Sequence, residues 1–106
     1  MDIAQLSVSC GIPAETLREY DAYGIFVDTN EDVAQENIRR LGILDTLLKA
    51  GFTLREAGRF FHREDGTARI YMLRNRRRNL LDRIHEQQRI LDCIDALIWK
   101  EQKGAV

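Results

Sequence analysis

One helical pattern near the C-terminus governs what this chain can fold into. From about Thr67 to Gln102, residues Ile70, Leu73, Arg77, Leu80, Ile84, Gln87, Leu91, Ile94 and Ile98 follow one another in alternating steps of three and four. Those steps are the a/d seam of a heptad repeat. Seven of the nine residues are Ile or Leu, and Arg77 and Gln87 interrupt them. Polar seam residues of that kind set register or orientation at some cost in stability. At about 1.5 Å per residue the helix spans about 50 Å. That is too long to fold back inside a monomer of 106 residues, and the other helices are too short to cover it. The seam is therefore expected to pair two chains through Leu73, Leu80, Ile84, Gln87, Leu91, Ile94 and Ile98. One face of an intrachain bundle is the alternative. Composition does not choose between parallel and antiparallel pairing. Trp99, near the helix end, is expected to pack against a partner helix.

Four shorter helices are expected ahead of it. The first runs from about Asp2 to Ser9, with Asp2 as cap and Gln5 at capping-box spacing. Gly11 ends the turn that follows. The second runs from Pro13, a residue suited to a first turn, to Tyr23, and Gly24 stops it as a left-handed terminator. The third runs from about Glu31 to Ala50, with Ile38, Leu41, Leu44, Leu47 and Leu48 at helical spacing and Gly51 after it. The fourth runs from Leu54 to Phe61 behind a Thr53-x-x-Glu56 capping box. Arg63-Glu64-Asp65-Gly66 reads as a polar turn. The fold class is all-α, in two parts: residues 1–66 as a small helical domain and 67–106 as the pairing helix.

Composition excludes several classes. Hydrophobic residues make up 44% and charged residues 31% of the chain, which fits a globular protein. No run approaches the ~18 apolar residues of a membrane span, so no membrane partner is expected. The start, Met1-Asp2-Ile3-Ala4-Gln5, lacks the basic and apolar regions of a secretory signal, and a cytoplasmic location is the default. Two distant cysteines, Cys10 and Cys93, cannot supply a disulfide framework or a four-ligand zinc site within one chain. No nucleophile–base pair or glycine-rich phosphate loop stands out, so neither an enzyme nor a cofactor is expected.

The net charge of −1 conceals a division. Residues 1–37 hold one basic residue, Arg18, against eight acidic ones, a net −7, and residues 38–106 carry the compensating +6. Such a split points to a nucleic-acid partner for the basic half, or to docking of the two halves within or between molecules. Arg69, Arg74, Arg76, Arg77, Arg78 and Arg83 form the densest charge. They read either as a solvated coiled-coil flank or as an electrostatic footprint for nucleic acid or for the acidic half.

Two helices joined by the turn Cys10-Gly11-Ile12 make a helix-turn-helix pattern. The run Ile3-Ala4-Gln5-Leu6, Gly11-Ile12, Thr16-Leu17-Arg18-Glu19-Tyr20-Asp21 and Gly24-Ile25-Phe26 resembles the start of the mercury-resistance regulator (MerR) family. The family reads I-x-E-L-A, G-V-S, R-T-L-R-Y-Y-E and G-L-L there, and the match runs ungapped. A second block, Ile38, Leu41, Leu44 and Leu47 followed by Gly51-Phe52-Thr53-Leu54, is similar to the family's L-x-x-I-x-x-L and G-F-S-L-E-E-I. The long helix occupies the place of the family's dimerisation helix. The resemblance implies a winged helix-turn-helix that binds double-stranded DNA, homodimerises through an antiparallel coiled coil and regulates transcription. It places the second helix in the major groove. Carried over, the DNA-binding residues are Ala14, Thr16, Arg18, Glu19 and Tyr20 on that helix, with Arg39, Arg40 and Arg55 toward the flanking backbone and Arg59 as a further candidate. Leu17 is core by type. Arg18 suits a phosphate or a base edge, and Tyr20 suits phosphate contact or packing.

Departures from the family pattern concentrate on charge. Glu15 replaces the arginine before Thr16, and Glu19 replaces the first tyrosine of the pair. Carboxylates are repelled by phosphates, and an acidic residue reads only cytosine N4. The wing segment, Val27 to Asn37, is shorter than the family's and has neither arginine nor tyrosine. Because phosphate contacts supply most non-specific affinity, this suggests a second function: a protein-interaction module of the same fold whose acidic N-terminal half docks a basic protein partner. Family metal sensors use cysteines near the end of the long helix and in a following loop. Here the chain reaches Val106 with no such loop and no cysteine beyond Cys93, so any effector site is expected to be minimal or absent. Cys93 reads as a packing thiol, Cys10 as half-buried, and His62 and His85 as isolated surface residues. Phe52, Leu54, Phe60 and Phe61 are expected in the core.

Overall fold

In the computed structural model, which describes residues 2–27, 33–63 and 65–104, five helices follow one another: α1 (Ile3–Cys10), α2 (Ala14–Ala22), α3 (Val33–Lys49), α4 (Leu54–His62) and α5 (Gly66–Gln102). No strand occurs among the described residues. The all-α expectation holds. The acidic centre of the wing segment, residues 28–32, lies outside the described residues.

Local chemistry explains each boundary. The Asp2 carboxylate accepts from the Ala4 and Gln5 amides at 3.0 and 3.3 Å, satisfying donors that the first turn leaves unpaired. Gln5 contributes its backbone amide to this cap. Gly11 closes α1 at φ +69, and the Ser7 hydroxyl donates across the turn to the Ile12 carbonyl at 2.5 Å. Pro13 stands one residue earlier than expected, as the extended N-cap of α2 without a side-chain cap.

Helices α2 and α3 end alike. The Gly24 and Ile25 amides donate back to Asp21 and Tyr20, and those of Gly51 and Phe52 to Leu48 and Leu47. Both are Schellman closures, with glycine at φ +80 and +94. The apolar residue after each glycine, Ile25 or Phe52, is buried, so each closure also turns the chain into the core. The Thr53–Glu56 capping box forms in both directions, at 2.9 and 3.1 Å. Asp65 accepts from the Thr67 amide at 2.9 Å, so α5 begins at Gly66 rather than Thr67.

The chain divides into two compact units, residues 1–69 and 70–106. In the first, Leu6, Leu17, Ile25, Phe26, Leu44, Leu47, Phe52, Ala57 and Phe60 form the core. Phe52 and Phe60 are buried as expected, whereas Leu54 and Phe61 are half-buried. Ile38 at the start of the α3 stripe remains 44% exposed. Helix α4 sits close to the end of α2, and Gly58 permits this: a Cβ built there would lie 2.1 Å from the Tyr23 carbonyl oxygen. The His62 ring lies against Gly24, where a Cβ would meet its Nε2 at 2.3 Å.

The second unit is helical. Helix α5 has no buried residue among those described. Leu73, Ile84, Leu91, Ile94 and Ile98 are all exposed, as are Ile90, Leu97 and Trp99. Leu80 is half-buried, and Gln87 and Cys93 are exposed. Leu80, Ile84, Gln87 and Leu91 share one shallow furrow with Arg83 and Gln88.

Candidate nucleic-acid interface

Helix α2 turns Leu17 fully inward, and that orients the rest of its face. Glu15, Arg18, Glu19 and Ala22 point outward and are exposed, while Ala14, Thr16 and Tyr20 are half-buried. Arg18 has no hydrogen-bond or ion-pair partner among the described residues. None of its five donors is used among the described residues, but the exposed carboxylates of the same face outnumber it two to one. Glu15 has a local role, since a carboxylate in a first turn complements the helix dipole.

Helix α4 presents the opposite sign. Its inward residues are Ala57, Gly58 and Phe60, which leaves Arg55, Arg59 and His62 exposed along the outer face. Arg55 and Arg59, four residues apart, have no partners among the described residues. Of the cations expected near a nucleic acid, these two and Arg18 are the ones without a partner among the described residues.

Arg39 and Arg40 are both tethered to Glu36. Arg39 grips Glu36 with two bonds, Nε at 2.9 Å and Nη2 at 2.7 Å. Arg40 Nε also reaches Glu36, at 3.2 Å. The Arg39 and Arg40 guanidinium groups together hold the Glu36 carboxyl down at a pKa of about 2, and Glu36 in turn raises that of Arg39. Arg40 is the more deeply engaged. Its Nη1 donates to the buried Ile25 carbonyl at 3.0 Å, and its guanidinium lies 5.1 Å over the Phe61 ring.

Asn37 is the residue that sequence reasoning missed. It is fully buried. Its Oδ1 accepts from the Val27 amide at 2.8 Å, and its Nδ2 donates to the Val27 carbonyl at 3.1 Å. The side-chain amide thus acts as a length of strand, pairing with the backbone that leaves α2. With the Arg40–Ile25 bond it fastens residues 25–27 to α3. A signal was present: Asn37 stands in register with Leu41, Leu44 and Leu48, a polar residue on an apolar stripe, and such a residue is hydrogen-bonded when buried.

Taken together, the described residues form a helix-turn-helix followed by two further helices and a helix of 37 residues. No family model and no curated protein sequence matches the chain. Among solved structures, it is similar to HiNmlR, described as a MerR family regulator lacking the sensor domain, bound to promoter DNA. That likeness has a TM-score of 0.63 and 25% sequence identity, and it covers 96% of this chain and 90% of the other. The chain is therefore MerR-like in fold over nearly its whole length, as the motif resemblance implied. No helix among the described residues is long and apolar enough to cross a membrane.

Proposed function

We propose that this protein is a MerR-like transcriptional regulator that binds double-stranded DNA as a homodimer in the cytoplasm. Residues 1–66 serve as the DNA-binding part and 67–106 as the pairing helix. The observation that carries the reading is the fold likeness to a DNA-bound MerR family regulator across 96% of the chain. Helix α2 enters the major groove, with Ala14, Thr16, Arg18, Glu19 and Tyr20 toward the DNA. Arg18 makes the principal contact. Arg39, Arg55 and Arg59 supply cations toward the flanking backbone. Arg40 belongs to the same surface but acts chiefly by holding residues 25–27 in place. Pairing through Leu73, Leu80, Ile84, Gln87, Leu91, Ile94 and Ile98 is supported by the exposure of Leu73, Ile84, Leu91, Ile94 and Ile98 on a single chain. Contiguous apolar patches of that extent mark interaction sites.

The test is a fluorescence-anisotropy titration with mixed-sequence duplex DNA across a salt series. Binding at low salt that weakens steeply as salt rises supports the reading. Arg18→Ala weakens it by about 1–3 kcal/mol. Absence of binding at low salt refutes it. One observation favours a second reading: the outer face of α2 carries Glu15 and Glu19 against Arg18 alone. If DNA binding is absent while a basic protein is bound, and Glu15→Gln with Glu19→Gln abolishes that binding, the protein-interaction module takes its place.

A further inference from the structure

Three arginines line one small cleft in the first unit. Its walls are Arg39, Arg40, Ile43, Phe60, Phe61 and Arg69, and its volume is about 250 Å³. That is below the ~300–1,000 Å³ of pockets for drug-sized ligands and ample for a single tetrahedral anion. Phe60 and Phe61 pack edge to face, their centroids 5.5 Å apart, and give the cleft a rigid apolar wall.

The charge balance of the cleft is incomplete. Glu36 pairs with Arg39 and Arg40, and its low pKa keeps it ionised at neutral pH. Among the described residues, one carboxylate against three guanidinium groups leaves a net +2. Each guanidinium carries five N–H donors, and among the described residues none is exhausted. Arg39 keeps Nη1, having used Nε and Nη2. Arg40 keeps Nη2, having used Nε and Nη1. Arg69 donates through Nη1 to the Arg63 carbonyl and keeps Nε and Nη2. These are partly tethered forks with spare donors, the arrangement that binds phosphate with little further ordering.

We propose that the cleft bounded by Arg39, Arg40 and Arg69 is a binding site for one phosphate group. The phosphate comes either from a free phosphate or phosphomonoester, or from a nucleic-acid backbone.

The probe is inorganic phosphate. Thermal unfolding of the full chain is followed at fixed protein concentration, in phosphate and in chloride of equal ionic strength. At phosphate about tenfold above its Kd, the midpoint rises above the chloride value by roughly 5–10 °C. The rise persists in Lys49→Gln, an exposed cation paired with Asp45 outside the cleft, and is lost in Arg69→Gln and Arg39→Gln. Arg39 is exposed, so its variant reports even if loss of the Arg63 contact impairs folding of the other. The readout is the phosphate-dependent increment, which a lowered baseline does not mimic. The source is separated by the salt dependence of duplex DNA binding. A slope reduced by about one in Arg69→Gln assigns the cleft to a backbone phosphate, and an unchanged slope with the thermal increment lost assigns it to a free ligand. A full increment in both cleft variants overturns the proposal. So does no increment in the parent together with an unchanged slope. If the parent binds no DNA, the thermal comparison still decides the cleft, so the two proposals fail separately.

Discussion

Two glycine-to-alanine substitutions in helix interiors have opposite outcomes here. Gly42 lies in α3 with nothing within 4 Å of an added Cβ. Gly42→Ala gains helix propensity and loses unfolded-state entropy, a stabilisation of up to ~1 kcal/mol. Gly58 in α4 gains the same propensity, but its Cβ would stand 2.1 Å from the Tyr23 carbonyl oxygen and 3.3 Å from its carbon. The obstacle is backbone, held by the closure at the end of α2, so no side-chain rotation relieves it. Overpacking of this kind costs about 1–3 kcal/mol, with the upper end apt when backbone must move. The clash therefore outweighs the propensity gain, and Gly58→Ala is destabilised by about 1–2 kcal/mol net. At ~4–8 °C per kcal/mol, its melting midpoint falls by roughly 5–15 °C while that of Gly42→Ala rises by up to ~8 °C. The assay is thermal denaturation by circular dichroism at one protein concentration, since pairing of chains would make midpoints concentration-dependent. Gly58→Ala as stable as the parent would refute the close seating of α4 on α2.

Further outcomes follow from the same geometry. Asn37→Ala removes both partners of Val27 and costs about 2–4 kcal/mol in urea denaturation; a loss below ~1 kcal/mol would mean that residues 25–27 are held by other contacts. Glu36 has a folded pKa depressed to about 2 from 4.5, so its stabilising contribution is present above pH 4.5 and is lost as pH falls toward 2. Glu36→Gln is accordingly less stable than the parent at pH 7, and the gap closes between pH 4.5 and 2; a gap independent of pH would contradict the pairing with Arg39 and Arg40. Light scattering of the parent yields twice the chain mass of 12.3 kDa, and Ile94→Glu restores the single-chain value. A parent of single-chain mass rules out the paired helix.

Much of this architecture was legible in the residues because its determinants are local. Asp2, Gly11, Gly24, Gly51 and the Thr53–Glu56 pair mark helix ends through bonds spanning a few residues, and each end lies within a residue or two of its expected place. The apolar spacing of α3 and α5 follows from the helical period alone, which is also why the motif resemblance to a MerR regulator was recoverable. What tertiary structure decided is how side chains are spent. Arg39 and Arg40 are two more cations in the sequence, yet one is clasped by Glu36 and the other turned onto the Ile25 carbonyl and the Phe61 ring, while Arg18, Arg55 and Arg59 have no partner among the described residues. Asn37 is an ordinary helical residue until residues 25–27 return beside it, and Gly58 an ordinary weak helix former until the Tyr23 carbonyl arrives. Each outcome depends on segments brought together by burial of the same core, and a one-dimensional pattern does not contain those distances.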